Sequence, residues 1–201
     1  SNRDRALFSS GPCFTPLRIL GPLSQHLRIH YHRDFDGMVS AAVLAKILTE
    51  THDEEVVWSS VNYDQRRDWK SFGGDERFAI VDFHFHPAAE YWFDHHPTTF
   101  LTPELRAAYE PTDRWSWDEK SPSCPPLILR HAKEYWGYEA SERFVDMAVW
   151  SDVVDAARFR DVDQAVFGDE PALRIMRSMT AAPSREYPDE LVAAMVEGSL
   201  E

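Results

Sequence analysis

The chain has 201 residues, of which 43% are hydrophobic and 13% aromatic, and its formal net charge is −13 at pH 7. This composition is that of a folded chain with one sizeable core, and it excludes a disordered polymer. The acidic surface argues against broad electrostatic binding of nucleic acid, although metal ions in an acidic site would still permit phosphate chemistry there.

Neither the cysteines nor the hydropathy pattern points to secretion or to a membrane. The two cysteines, Cys13 and Cys124, form no CxxC pair and are interpreted as ordinary thiols of a reducing compartment. No run approaches the roughly 18 apolar residues of a membrane span, and no signal-peptide pattern is present. We therefore expect a cytoplasmic protein without a membrane partner.

The first half of the chain alternates strand-like and helix-like segments. Residues 1–26 are irregular and predict an N-terminal arm, and the polar segment 62–76, which ends in Gly73-Gly74, predicts a loop. Alternating or continuous apolar runs predict strands at 27–32, 55–61, 77–83 and 90–96, and helical spacing predicts a helix at 38–50.

The second half of the chain predicts helices. They are expected at 125–137, 141–159, most of 161–180, and 188–200. Strand-helix-strand order near the start implies parallel pairing with right-handed crossovers. The predicted fold class is therefore α/β, with a mainly parallel sheet flanked by helices and a helical C-terminal part.

Three of the predicted strands deliver aspartate and histidine residues to one edge of the sheet. They are His30, His32, Asp34 and Asp36 from the first, Asp82 from the third, and Asp94, His95 and His96 from the fourth. Ligands of parallel sheets gather at the carboxyl ends of the strands. Buried carboxylates repel one another, and a bound cation removes that conflict. Imidazole and carboxylate ligands without sulfur suit Mn, Co, Fe or Zn, with Mg binding more weakly.

Four segments carry a family resemblance: 30-HYHRDFDG-37, 80-IVDF-83, 94-DHH-96 and 149-VWSDVVDAARF-159. In order and spacing they resemble the four motifs of the DHH phosphoesterase superfamily, which includes RecJ-like exonucleases, nano-RNases, cyclic-dinucleotide phosphodiesterases, exopolyphosphatases and family II pyrophosphatases. The resemblance implies a DHH-type catalytic domain over residues 27–160, with residues 161–201 as a helical extension of the same domain.

The resemblance also implies a role for each matching residue. His30, Asp34 and Asp82 would hold a first divalent ion, and a second would be held by Asp36, Asp82, His95 and Asp152. Some branches of the family place the first histidine two residues before the DxD pair, which would select His32, but the commoner pattern favours His30. Asp82 would bridge the ions, Asp94 would orient a histidine, and His96 would face the substrate phosphate. Mn²⁺ is the expected metal, with Mg²⁺ or Co²⁺ as alternatives.

The expected function is hydrolysis of phosphodiester bonds in short nucleotides or oligonucleotides through a two-metal site. A pyrophosphatase or exopolyphosphatase is the alternative enzyme. A non-catalytic DHH module that senses nucleotides or binds a protein is the alternative of another class, because no second substrate-binding lobe is recognisable after residue 160.

Several residues outside the motifs are weighed separately. Ser123 matches a serine at a helix start in many family members, though loosely. His84 and His86 are interpreted as lining a strand or loop face, close enough to touch substrate. Trp115 and Trp117 are candidates for stacking on bases. The basic cluster Arg66, Arg67 and Lys70 is interpreted as part of a solvated loop near the substrate entrance.

Overall fold

A computed structural model describes residues 26–181 and 184–198 of the protein. The predicted N-terminal arm, apart from His26, lies outside the described residues, and so does Cys13.

Five parallel strands form one sheet in the order β2-β1-β3-β4-β5. The strands are β1 Leu27–His32, β2 Val56–Val61, β3 Phe78–Val81, β4 Tyr91–Asp94 and β5 Trp115–Trp117. Every neighbouring pair is parallel, so all five carboxyl ends lie along one edge. The predicted α/β class with a parallel sheet is confirmed.

Helices cover both faces of the sheet and make up the C-terminal part. They are α1 Phe35–His52, α2 Pro103–Ala108, α3 Cys124–Trp136, α4 Glu142–Asp155, α5 Val162–Phe167, α6 Pro171–Thr180 and α7 Tyr187–Glu197, with a 3₁₀ helix at Tyr63–Ser71. Within the described residues, no helix combines the length and apolarity needed to cross a membrane.

Helix α1 is buried on nearly all sides because it lies between the sheet and helices α3, α4 and α7. It begins at Phe35, three residues before the predicted start. Asp34 causes this early start, since its side chain accepts a hydrogen bond from the backbone N–H of Gly37 and caps the helix. The most buried helix of the fold therefore starts directly after the end of β1.

Two buried clusters form the core, one on each face of the sheet. The first surrounds α1 and includes residues of the C-terminal helices, among them Ala172, Leu191 and Met195. Helix α7 is also tied to the sheet, because the Tyr31 hydroxyl donates a 2.5 Å hydrogen bond to Asp189. The second cluster is aromatic, and the 3₁₀ helix and α2 contribute side chains to it.

Three elements differ from the sequence prediction. The segment expected as a loop contains the 3₁₀ helix, which a capping box between Asn62 and Gln65 begins. Helix α2 starts with Thr102 as N-cap and Pro103 at N1, a signal that the prediction missed. Strand β5 has only three residues, too few for a recognisable alternating pattern.

Candidate metal centre

The carboxyl edge of the sheet gathers acidic and imidazole side chains from four places in the chain. Three sets have ligand atoms that all lie within 4.8 Å of one another: His32, Asp34 and Asp82; Asp82, Asp94, His95 and His96; and Asp36, His95 and Asp155. Asp82 and His95 each belong to two of these sets, so the three sets form one continuous cluster.

Asp82 lies at the middle of the cluster and is only 1% exposed. Its Oδ1 is 3.5 Å from Nε2 of His95, and its Oδ2 is 3.8 Å from Nδ1 of His32. Neither carboxylate oxygen has a hydrogen-bond partner in the part of the chain that the structure describes. Burial, followed by repulsion from Asp36, raises the pKa of Asp82 well above its usual value.

The backbone of Asp82 adopts a conformation that is rare for a residue with a side chain. Its φ angle is 55°, in the left-handed region, directly after the last residue of β3. The backbone N–H of Asp82 donates to the carbonyl of Phe93 in the neighbouring strand, which holds this turn in place. This left-handed backbone conformation places the Asp82 carboxylate between the ends of β1 and β4. Strained conformations of this kind cluster at functional sites.

His95 presents one ring nitrogen to three carboxylates. Its Nδ1 lies 3.1 Å from the carbonyl oxygen of Ser121 and donates to it, which leaves Nε2 facing Asp36 at 3.5 Å, Asp82 at 3.5 Å and Asp155 at 3.6 Å. Burial lowers the pKa of His95, but the nearby Asp36 carboxylate and the other surrounding acids outweigh burial and raise it to about 9. A proton or a metal ion at Nε2 would satisfy this geometry.

His32 and Asp34 form the second side of the cluster. Nδ1 of His32 lies 2.6 Å from Oδ2 of Asp34, whose other oxygen caps α1. Burial alone would raise the pKa of Asp34, but the contact with His32 reverses the shift and lowers it. Gly37 makes this close packing possible, because a Cβ there would lie 2.0 Å from the carbonyl oxygen of His32.

Asp36 is 2% exposed in the first turn of α1. Its Oδ2 accepts a 2.9 Å hydrogen bond from the backbone N–H of Cys124 at the start of α3, while Oδ1 has no partner among the described residues. Burial raises the pKa of Asp36, and the neighbouring Asp34 adds to the shift. The side chain is thereby fixed with one oxygen directed to His95.

Asp94 orients His96. Oδ1 of Asp94 lies 2.8 Å from Nδ1 of His96 and also accepts hydrogen bonds from the backbone N–H groups of His95 and His96. This contact raises the pKa of His96, whose side chain is 34% exposed. His96 is thus the histidine of the cluster that faces solvent.

His30 does not join the cluster. Side chains alternate along a strand, so His30 and His32 share a face, but His30 lies two residues, or roughly 7 Å, farther from the carboxyl end of β1. Its ring packs edge-on against Phe72 at 4.6 Å, and burial lowers its pKa to about 4. The structure therefore places His32 where the resemblance had favoured His30.

Asp152 also lies outside the three sets, whereas Asp155 belongs to one of them. Asp152 accepts a 2.6 Å hydrogen bond from the hydroxyl of Ser123, the N-cap residue of α3. Asp155 lies at the last position of α4, where burial and then repulsion from Asp36 raise its pKa to about 6. The resemblance implied Asp152 as the ligand, and it did not select Asp155, which lies three residues later, less than one turn along α4.

The other singled-out residues surround the cluster. His84 lies against the cluster, and burial, together with the positive charge of Arg66, lowers its pKa to about 4. His86 accepts a hydrogen bond from the backbone N–H of Ala88. The indoles of Trp115 and Trp117 donate to the carbonyls of Ala89 and His96, and both rings pack against the aromatic core cluster. These two tryptophans thus have structural partners.

The residues present fit divalent metal ions. Buried carboxylate oxygens without partners, histidine nitrogens directed at them and the absence of sulfur in the three sets match the ligand preferences of Mn²⁺ and similar ions. Comparison with known proteins adds no assignment: the chain matches no protein-family model, and it has no match among curated proteins.

Proposed function

We propose that the protein is a divalent-metal-dependent phosphoesterase that hydrolyses phosphodiester bonds of short nucleotides or oligonucleotides. The observation that carries this proposal is the position of Asp82, which turns one oxygen toward His95 and the other toward His32. A carboxylate shared in this way is the bridge that a two-metal site requires. The motif resemblance to the DHH phosphoesterase superfamily supports the same chemistry.

The ligands divide into two sets around this bridge. His32, Asp34 and Asp82 would hold one ion, and a second would be held by Asp36, Asp82, His95 and Asp155. Mixed imidazole and carboxylate ligands favour Mn²⁺, with Co²⁺ or Mg²⁺ as alternatives. When bound, the ions would supply an activated water and positive charge for the oxygens of the phosphate.

His96, held by Asp94, would act on the substrate. The Asp94 carboxylate holds Nδ1 of His96, so the ring is fixed while its outer side remains exposed. A histidine with a raised pKa in this position donates a hydrogen bond to a phosphate oxygen or a proton to the leaving group. The role of Asp94 is to position His96.

Space for a small substrate lies beside the cluster. A hollow of about 320 Å³ lies between the first turn of α1 and helix α6, where Arg33, Asp34 and Asp155 meet Met176 and Met179. Its walls join metal-ligand candidates to residues of the C-terminal helices. The extension after residue 160 thus forms part of the surroundings in which a substrate would be held.

Hydrolysis assays with Mn²⁺ on a linear dinucleotide, a cyclic dinucleotide and pyrophosphate test the proposal. We expect turnover of at least one dinucleotide, and loss of more than about a hundredfold in kcat/KM for Asp82→Asn. Asp161→Asn is the control, because Asp161 is an exposed N-cap residue of α5 and asparagine also caps helices.

Two outcomes would contradict the proposal. Turnover of pyrophosphate alone would indicate the pyrophosphatase alternative. Bound metal without turnover of any substrate would indicate a non-catalytic nucleotide-sensing or interaction module.

A further inference from the structure

An exposed tyrosine lies at the rim of the metal centre. Tyr63, the first residue of the 3₁₀ helix, is 47% exposed, and its ring centroid is 5.0 Å from that of His32. It lines a hollow together with Asp82, His84 and His96. A planar apolar surface is therefore available next to the position of a reacting phosphate.

An arginine covers this tyrosine. The guanidinium carbon of Arg66 is 4.1 Å from the centre of the Tyr63 ring, and no ion pair of Arg66 is found within the described residues. A guanidinium stacked on a ring keeps its N–H groups at the edge, where they are able to bind a phosphate. Both residues are exposed, so a planar base has room to replace the guanidinium on the ring or to extend the stack over it.

His84 adds a polar group to the same hollow. It is 5% exposed, its Nδ1 lies 3.1 Å from the carbonyl oxygen of Thr99, and its Nε2 has no hydrogen-bond partner among the described residues. A nitrogen next to a carbonyl oxygen must donate, so in the neutral ring Nε2 is an acceptor. A buried acceptor without a partner requires a donor, and the hollow, with a volume of about 10 Å³, has room for one hydroxyl-sized group.

A larger cavity continues from Arg66 along the 3₁₀ helix. Its volume is about 700 Å³, within the range of small-molecule sites, and its walls combine Arg66, Arg67 and Lys70 with Trp69 and Leu101. Asp68 and Glu104 also line it, so cations are in excess by one. In a chain with a net charge of −13, this local excess favours an anionic ligand with an apolar part.

We propose that Tyr63, Arg66 and His84 form a nucleoside subsite of the metal centre, and that the adjoining basic cavity holds a neighbouring nucleotide. The base stacks on the pair formed by Tyr63 and Arg66, and a sugar hydroxyl donates to Nε2 of His84. This inference rests on the proposed phosphoesterase function and deepens it, because it selects nucleotides over pyrophosphate as the substrate class.

Isothermal titration calorimetry of the Mn²⁺-saturated protein with AMP and with inorganic phosphate tests the subsite without turnover. We expect AMP to bind more tightly than phosphate. Tyr63→Ala should weaken AMP binding by about fivefold to a hundredfold, the range for loss of one stacked base, and leave phosphate binding unchanged. Tyr63→Phe should restore AMP binding. Tyr135→Ala is the control, since Tyr135 is 52% exposed and stacks on His131 away from the metal centre.

Two further variants test the polar part of the subsite. Arg66→Gln should weaken AMP binding several-fold, whereas Arg114→Gln, which changes an arginine over Tyr91 at the start of β4, should not. His84→Asn keeps an N–H donor for the carbonyl of Thr99 but removes the acceptor at Nε2, and it should weaken AMP binding without affecting phosphate.

Unchanged AMP binding in Tyr63→Ala overturns the inference, and so does an equal loss of AMP and phosphate binding, since a structural role alone would give that result. These results are separate from a failure of the proposed function, which would appear as bound Mn²⁺ with no turnover of any phosphodiester by the unmodified protein.

Discussion

His30 and His32 lie on the same face of β1, but of the two only His32 belongs to the candidate metal centre. Nδ1 of His32 is 2.6 Å from Oδ2 of Asp34, whereas the ring of His30 packs against Phe72 and neither of its nitrogens has a partner among the described residues. The position along the strand, rather than the face, therefore determines which histidine can bind metal.

Replacing these two histidines should give opposite results. His32→Ala should reduce the affinity for Mn²⁺ by more than about tenfold, because it removes a ligand of the first ion. His30→Leu should leave Mn²⁺ affinity unchanged and keep or increase the free energy of unfolding, since it replaces two buried unpaired nitrogens with apolar atoms. Calorimetric titration with Mn²⁺ and denaturant unfolding measure the two effects. Metal loss in His30→Leu would return His30 to the ligand set.

The acids of α4 provide a second matched pair. Asp155→Asn should weaken binding of the second Mn²⁺ by about tenfold or more, because Asp155 lies 3.6 Å from Nε2 of His95. Asp152→Asn should leave Mn²⁺ binding nearly unchanged, since asparagine still accepts the hydrogen bond of Ser123. Metal content measured by mass spectrometry after dialysis distinguishes them, and the reverse order would favour the ligand that the resemblance implies.

Gly37→Ala should damage both stability and metal binding. The new Cβ would overlap the carbonyl oxygen of His32, so the end of β1 and the first turn of α1 must separate, at a cost of about 2 kcal/mol or more. Gly137→Ala is the control, because Gly137 has a φ of 66° but no atom within 4 Å of an added Cβ, and only about 1 kcal/mol is expected. Equal Mn²⁺ affinity in Gly37→Ala and the unmodified protein would show that this contact does not position the ligands.

The metal-free protein should lose stability between pH 7.5 and 9. His95, whose pKa is raised from 6.5 to about 9, stabilises the fold while protonated and loses that contribution as pH rises toward and through 9. The raised pKa of Asp82 acts in the same direction. His30 and His84, with pKa values lowered to about 4, bind almost no proton in either state above about pH 7.5 and do not oppose this trend.

We expect a decrease on the order of 1–2 kcal/mol over this pH range in EDTA, measured by urea unfolding. Saturating Mn²⁺ should reverse the trend, because a metal ion replaces the protons that the cluster binds. His95→Asn should flatten the profile in EDTA. A metal-free stability that rises with pH would contradict the arrangement of buried acids described above.

The sequence predicted the four longer strands, because apolar runs of four to seven residues bounded by turn residues mark buried parallel strands. It also predicted that Asp34, Asp36, Asp82, His95 and His96 lie at one edge, since parallel strands bring their carboxyl ends together. The sequence did not predict that His32 and Asp155, rather than His30 and Asp152, lie in the cluster. A shift of two residues along a strand, or of three residues along a helix, leaves the hydrophobic pattern nearly unchanged but moves a side chain by several ångströms.

The hydrophobic pattern of the sequence did not predict the 3₁₀ helix, for a different reason. Its exposed residues are polar, and a solvated loop has the same composition. Only the capping box of Asn62 and Gln65 distinguishes it, and a single capping box is a weak signal without an apolar run after it. The ring of Tyr63 could not be placed beside His32 from sequence, because the two residues lie on different elements.

The ligands at the start of α1 and the residues of the 3₁₀ helix differ in how firmly the fold holds them. Backbone amides in the buried part of α1, up to Leu48, should exchange with deuterium only on global unfolding, whereas those of the largely exposed 3₁₀ helix should exchange through local opening. Mutations at the exposed positions of this nine-residue segment, which exclude the buried Trp69, can therefore accumulate without disturbing the core. New preferences for the organic part of a substrate would then evolve in that segment while the acids of the sheet edge stay the same.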